Sequence, residues 1–415
     1  MVGMAGFAKR VSGWRRQPED IVDGARVKSA SVKGSSVKNV QQPAASAAYR
    51  SRVRPLLPEQ VLRVRFWGVR GSYPTVSAAG SAIGGNTTCV EIRYGRRVVV
   101  IDCGSGAIPL GEALTREWRD LPPTERHTLT VLFTHAHHDH LCGLPFFAPI
   151  FAENADLAFF GPDLAGLRFE EIISGYMRPP YFPVDFRQLP SRRTLTSIGD
   201  GAQLIWPNAG HDRHCGQDNA APVVLASEQR DNTPTDAPTD ALVVDVLHTH
   251  LHPQNGTLIY RVSADGHSFV FATDVEIGAH GAEADQRFIA FTQGADVLAH
   301  DAQYSERDYF GTSTGPDGGD GKSDGKQHTS AHRGFGHSTP GMAAEVARAA
   351  NVGQLVLFHH NPLYDDSALL ALEAAARQRF PNVTTAREGL ELHVGAPGML
   401  DALHGQFMDQ PPHRQ

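Results

Sequence analysis

Strict alternation of apolar and polar residues opens the patterned part of the chain. In Leu62-Arg-Val-Arg-Phe-Trp67 every second side chain falls on one face, the period of a half-buried strand. Segments 86–94 and 97–102, both rich in Val and Ile and joined across Gly95, predict a β-hairpin. Apolar runs at 129–134, 157–160, 243–248, 257–262, 268–273, 296–299 and 354–358 predict further strands. Helical spacing predicts helices over 106–118, 163–176, 340–350 and 367–379, the last with Asp365 or Asp366 to cap its first turn. Strand-rich halves that each end in helices imply an α/β fold built from two similar layers.

The remaining stretches lack such a period. Residues 1–60 carry Lys9, Arg10, Arg15, Arg16, Arg26, Lys28, Lys33, Lys38, Arg50, Arg52 and Arg54 among Ser, Ala, Gly and Val, and read as a basic, disordered arm. The arm has no apolar core of the secretory kind. A single domain is expected over 61–405, with surface insertions near 208–241 and 311–331 and a tail at 406–415. No apolar stretch reaches the roughly 20 residues of a membrane-spanning helix. A cytoplasmic location is the expectation. The net charge of −7 argues against binding nucleic acid through a broad basic face, though not against a local groove. Cys89, Cys103, Cys142 and Cys215 form no C-x-x-C pair and read as reduced thiols.

Chemistry concentrates in His135-Ala-His137-His138-Asp139-His140, directly after the apolar run 129–134. Imidazole and carboxylate at His-x-His-x-Asp-His spacing offer ligands for two transition-metal ions from one turn. Later strands offer more. His248, His250 and His252 alternate, and would share a face if the strand ran on through them. Asp274 ends the run 268–273, and its two oxygens suit it to bridge two cations. His359 and His360 end the run 354–358, and Asp301 follows 296–299. The histidines outside these motifs (His127, His267, His280, His393, His404) read as surface residues.

The order His-x-His-x-Asp-His, His, Asp, His resembles the metallo-β-lactamase fold superfamily. Asp102-Cys-Gly-Ser-Gly106 is similar to the Asp-x-Gly element of that superfamily. Trp67-Gly-Val-Arg-Gly-Ser-Tyr-Pro74, Gly84-Gly-Asn-Thr-Thr-Cys89, Asp301-Ala-Gln-Tyr304, Gly336-His-Ser338 and Phe358-His-His-Asn-Pro362 resemble a branch close to ribonuclease Z and cyclic phosphodiesterases. The resemblance covers roughly residues 62–395. It implies a four-layer αββα sandwich and two divalent ions, zinc by default with manganese or iron as alternatives. One ion would take His135, His137 and His252, the other Asp139, His140 and His359, with Asp274 bridging. His252 is preferred to His250 and His248 because it precedes a proline, His359 to His360 because it ends the strand, and Asp301 is the runner-up to Asp274. Asp102 would brace the ligand loop.

The resemblance implies hydrolysis of a phosphodiester by a hydroxide that the metal pair activates, with His337 as proton donor to the leaving group and Asp139 beside it in the catalytic set. A cyclic nucleotide or other small phosphodiester is the expected substrate. Ribonuclease Z-like tRNA 3′ processing, lactone or thioester hydrolysis, and a non-enzymatic metal-bound sensor are the alternatives. The resemblance leaves room for a homodimer. Arg70 offers a guanidinium for an anionic group or a structural ion pair, and Asn86 a hydrogen bond near the metals or an Asx-turn.

Overall fold

Two mixed β-sheets carry the site on one edge. In the computed structural model the described residues are 61–76, 81–119, 127–206, 221–226, 241–311 and 332–395. The first sheet holds β1 (Leu62–Gly68), β2 (Cys89–Tyr94), β3 (Arg97–Ile101), β4 (His127–Leu132), β5 (Ala155–Gly161) and β6 (Arg192–Ser197). The second holds β7 (Gln203–Trp206), β8 (Val223–Leu225), β9 (Leu242–Thr249), β10 (Thr257–Ala264), β11 (His267–Ala272), β12 (Val297–Asp301), β13 (Gln354–Phe358) and β14 (Val383–Thr385). β15 (Glu391–Val394) returns to the first sheet, giving the orders β15-β1-β2-β3-β4-β5-β6 and β14-β13-β12-β11-β10-β9-β7-β8.

The layering follows from strand periodicity. Val64 and Phe66 of β1, Tyr260 and Val262 of β10, Phe269 and Phe271 of β11, and Phe358 of β13 all enter one core between the sheets. The alternate residues face outward. On the first sheet Val100, Val131 and Phe159 pack under α1 (Ala107–Trp118) and α3 (Phe169–Tyr176), through Leu110, Leu114, Phe169 and Ile173. On the second sheet Ile259, Val270, Leu298 and Leu355 pack under α4 (Ala282–Thr292), α6 (Pro340–Ala349) and α7 (Asp366–Arg377), through Phe288, Ala343, Val346, Ala347 and Ala376. Three apolar layers between four layers of elements make an αββα sandwich. The single turn α2 (His138–Leu141) and the short α5 (Glu306–Phe310) lie in the loops at the strand ends.

Several expectations shift in detail. The predicted strand 86–94 begins only at Cys89, because the Asn86 and Thr87 amides donate to Glu388 and to Ser105 Oγ instead of a ladder. The predicted helix 163–176 begins at Phe169, since Ala165 and Gly166 turn at positive φ. Asp365 caps α7 by accepting from the Ala368 amide at 2.8 Å, while Asp366 accepts from Ser81 Oγ and the Ala82 amide. The edge strands β6, β8, β14 and β15, the short strand β7 and the helices α4 and α5 are not predicted. They are short or bury few side chains: α4 buries only Phe288 and Thr292. His127 is buried against Trp118, not on the surface, because it opens β4 beneath α1. The expected arm 1–60, the tail 406–415, His404 and Cys215 lie outside the described residues, as does most of both expected insertions. Val223–Leu225 is an exception, pairing antiparallel with β7. Cys89, Cys103 and Cys142 are free thiols. Among the described residues no helix is long and apolar enough to cross a membrane.

Candidate metal centre

The strands deliver their donors by a shared backbone device. Asp102 and His359 follow a strand directly and Asp274 follows one residue later, and each sits at positive φ, 60°, 59° and 56°. That left-handed conformation costs on the order of 1–3 kcal/mol per non-glycine residue, and Asp and His tolerate it better than most. It turns the chain within two residues of the strand end, beside the loop that carries His135, His137, Asp139 and His140.

Two groups of donor atoms converge there. His135 Nε2 lies 2.9 Å from His137 Nδ1, which lies 3.2 Å from His252 Nε2. Asp274 Oδ1 faces this trio, 3.7 Å from His135 Nε2 and 4.0 Å from His252 Nε2. In the second group His359 Nε2 lies 3.1 Å from Asp139 Oδ2 and 3.3 Å from Asp274 Oδ2, and His140 Nε2 lies 3.4 Å and 3.2 Å from the same two oxygens. A tetrahedron of about 2.0–2.1 Å bonds has edges of about 3.3 Å, so both groups have the dimensions of a cation's coordination shell. Asp274 puts one oxygen into each.

The outer nitrogens fix the rings. His140 Nδ1 donates to Asp102 Oδ2 at 2.8 Å, and Asp102 also accepts from the Thr134 amide and hydroxyl. His252 Nδ1 donates to the Gly336 carbonyl at 3.1 Å. His135 Nδ1 meets Thr134 Oγ1 at 3.1 Å. Each bond selects the tautomer that leaves an inner lone pair for a cation. His140 Nε2 is fully buried yet has no hydrogen-bond partner, an orphan that a metal ion would satisfy. The donors therefore fit a pair of divalent ions.

Electrostatics divides the two groups. Burial pushes the imidazolium forms of His135 and His137 down, and holds His252 at about 4. These rings are neutral and ready to ligate. Burial also opposes charge on His140, but Asp139, Asp274 and Asp102 override it and hold its pKa well above the ordinary value. His359 is likewise raised to about 10, against burial, by Asp274, Asp139 and Asp301. Protons thus stand in the second group where a cation would sit. Because His359 holds its proton up to about pH 10 and His140 is shifted in the same direction, metal uptake at the second group should tighten as pH rises from 6 to 9, by up to about tenfold per displaced proton per pH unit. Calorimetric titration in buffers of differing ionisation enthalpy measures the released protons; an affinity indifferent to pH would contradict the assignment.

The family model for the Metallo-beta-lactamase superfamily matches residues 82–310, more than half of the chain. The chain belongs to that superfamily. It is a metal-dependent hydrolase. Ribonuclease Z of Thermoplasma acidophilum is 24% identical over 350 residues, 80% of this chain and 96% of that protein. Ribonuclease Z of Gemmatimonas aurantiaca is 25% identical over 347 residues, 80% of this chain and 96% of that protein. The human tRNase Z short-form structure is 18% identical, covers 80% of this chain and 100% of its own, and superposes with a TM-score of 0.45.

Within this superfamily frame, the residues predicted as ligands gather, and the alternatives go elsewhere. β9 ends at Thr249, so the three alternating histidines do not share a strand face. His248 Nε2 bonds the Asn255 carbonyl, His250 is exposed, and only His252 reaches the centre. His360 Nε2 donates to the Ala386 carbonyl, away from His359. Asp301 is no competitor of Asp274. Its Oδ1 accepts from the Gln303 and Ser338 amides and its Oδ2 from the Asp274 amide and His337 Nδ1, which uses its four acceptor sites. Burial alone would raise the Asp301 carboxyl; His337 and His359 bring it down to about 2. Among the described residues Arg70 makes no ion pair, and the partners seen are backbone carbonyls. It is buried, and donates to the carbonyls of Gly84, Asn361 and Tyr364, bracing three loops. Asn86 braces Glu388 and Ser105 in the same manner. The unforeseen participant is Ser72, whose amide donates to Asp139 Oδ2 at 2.7 Å. No side-chain motif could announce a backbone donor.

Proposed function

We propose that this protein is a phosphodiesterase acting on small nucleotide diesters such as cyclic nucleotides. The carrying observation is the His337–Asp301 pair beside the centre. His337 Nδ1 donates to Asp301 Oδ2 at 2.8 Å, and the ring stacks on His359 with centroids 5.0 Å apart. With Nδ1 taken, Nε2 is the nitrogen left for a substrate. A buried carboxylate in this position fixes the tautomer and orientation of the imidazole. Protonated His337 would hand its Nε2 proton to the departing alkoxide, a need that diesters with unactivated leaving groups impose.

His135, His137 and His252 would hold one ion and Asp139, His140 and His359 the other, bridged by Asp274. When bound, two such ions supply Lewis-acid charge for the phosphoryl oxygens and lower the pKa of water. Imidazole and carboxylate donors without thiolate suit zinc, and manganese or iron would accept the same set. Ser72, through its amide, keeps Asp139 aimed into the centre.

Two exposed rings stand next in sequence to residues of this centre and support a nucleotide substrate. Tyr73 follows Ser72, and Phe335 precedes Gly336, whose carbonyl holds His252; they are 48% and 57% exposed. Stacking of a base on such a ring contributes about 1–3 kcal/mol. Phe335→Ala should therefore raise KM for thymidine p-nitrophenyl phosphate by about 5- to 100-fold and leave methyl p-nitrophenyl phosphate, which has no base, nearly unchanged. Equal effects on both diesters would remove the base from the proposal.

A second reading, 3′ processing of precursor tRNA, is favoured by the full-length likeness to proteins named ribonuclease Z. Metal analysis with a panel of bis-p-nitrophenyl phosphate, cyclic nucleotides, precursor tRNA and a lactone separates the readings. Turnover of the lactone alone would overturn both.

A further inference from the structure

Glu276 lies two residues beyond Asp274 and is fully buried. Its Oε1 accepts from the Tyr309 hydroxyl and the Gly334 amide, and its Oε2 from the Gly336 amide, each at 2.7 Å. Neighbouring bonds extend the same contact. Ser338 Oγ donates to the Val275 carbonyl at 2.7 Å and accepts from the Ile277 amide at 3.2 Å. Residues 275–277 therefore cradle the segment 334–338.

That segment serves both halves of the site. The Gly336 carbonyl accepts from His252 Nδ1 at 3.1 Å, and the next residue is His337. Gly336 has φ +89°, and a Cβ there would lie 2.2 Å from His252 Nδ1, so the backbone presses against the ring. A shift of the Gly336 peptide must move the His252 ring and the base of the His337 side chain together.

We propose that Glu276 is a positioning residue for both, setting the affinity of the His252 metal position and the aim of the His337 proton through one pair of amide bonds. The proposal rests on the reading of His337 as the leaving-group acid. Charge-assisted bonds from two backbone amides are stronger and more directional than neutral ones, which is the use of a carboxylate here. A carboxamide could not replace it. Glutamine presents two N–H donors on one side, so one glycine amide would face a donor instead of an acceptor.

The test uses the metal-loaded full chain carrying Glu276→Gln. Zinc titration against a competing chelator should show one of two ions bound about tenfold more weakly, with both still bound at excess zinc. For a diester with an unactivated alcohol leaving group, kcat should fall about tenfold or more with KM nearly unchanged. For a p-nitrophenyl diester kcat should fall much less at saturating zinc. Tyr309→Phe, which keeps both amide bonds, should match the wild type in zinc affinity and leaving-group dependence. A Glu276→Gln protein that merely melts earlier, with wild-type zinc affinity and leaving-group dependence, would overturn the proposal. Should that variant not fold, Glu276→Asp, whose carboxylate is withdrawn by one methylene, is read by the same criteria. If His337→Ala itself shows no leaving-group dependence, the acid reading fails. If His337→Ala shows it and the Glu276 variants do not, the positioning role alone fails.

Discussion

Asp274→Ala should bind fewer than two metal ions and lose on the order of 10³-fold or more in kcat/KM. Among the described residues this carboxylate faces both donor groups, Oδ1 toward His135 and His252 and Oδ2 toward His140 and His359. Its removal opens both coordination shells at once. Loss of several kcal/mol of Lewis-acid stabilisation corresponds to that fall in rate, at 1.36 kcal/mol per tenfold. His137→Ala opens one shell only and should retain more metal. Elemental analysis after gel filtration is the measurement, and two stoichiometric ions in Asp274→Ala would refute the bridging role.

The His337→Ala variant separates chemistry from metal binding. His337 stands close enough to Asp274, Asp301 and His359 to belong to a third donor cluster. Saturation of Asp301 by four N–H donors argues against a cation there. The variant should therefore keep both ions, and slow diesters with poor leaving groups by roughly 10²–10⁴-fold. It should spare p-nitrophenyl diesters, whose leaving group departs without a proton. Loss of one ion would make His337 a ligand; an equal slowing of both substrates would remove the acid role.

The legible and illegible parts of the fold differ in how much each element buries. Strands such as β10 and β11 bury both faces or one whole face, and their apolar runs announce them. β6 presents arginines and threonines at the edge of the first sheet, and its pairing with β5 is a tertiary event with little local trace. α4 turns two buried residues to the second sheet, too narrow a stripe to stand out. At the site, the motif from His135 to His140 was readable because its donors share one turn. Asp274 and His359 were readable because an apolar strand stops within two residues before each.

By itself the sequence determined the periodic faces that make two sheets covered by helices, and the kinds of donor that the strand ends carry. These are local properties, set by the two-residue period of a strand and by side-chain chemistry. Only the tertiary structure decided which donors meet. Asp139 and His359 are 220 residues apart in sequence, yet Asp139 Oδ2 and His359 Nε2 lie 3.1 Å from each other. Whether His252 or His248 reaches that place depends on where β9 releases the chain. The part Asp301 plays depends on which amides consume its lone pairs. Arg70 and Glu276 are charged groups whose partners are mostly backbone atoms, and backbone atoms leave no signature in a sequence.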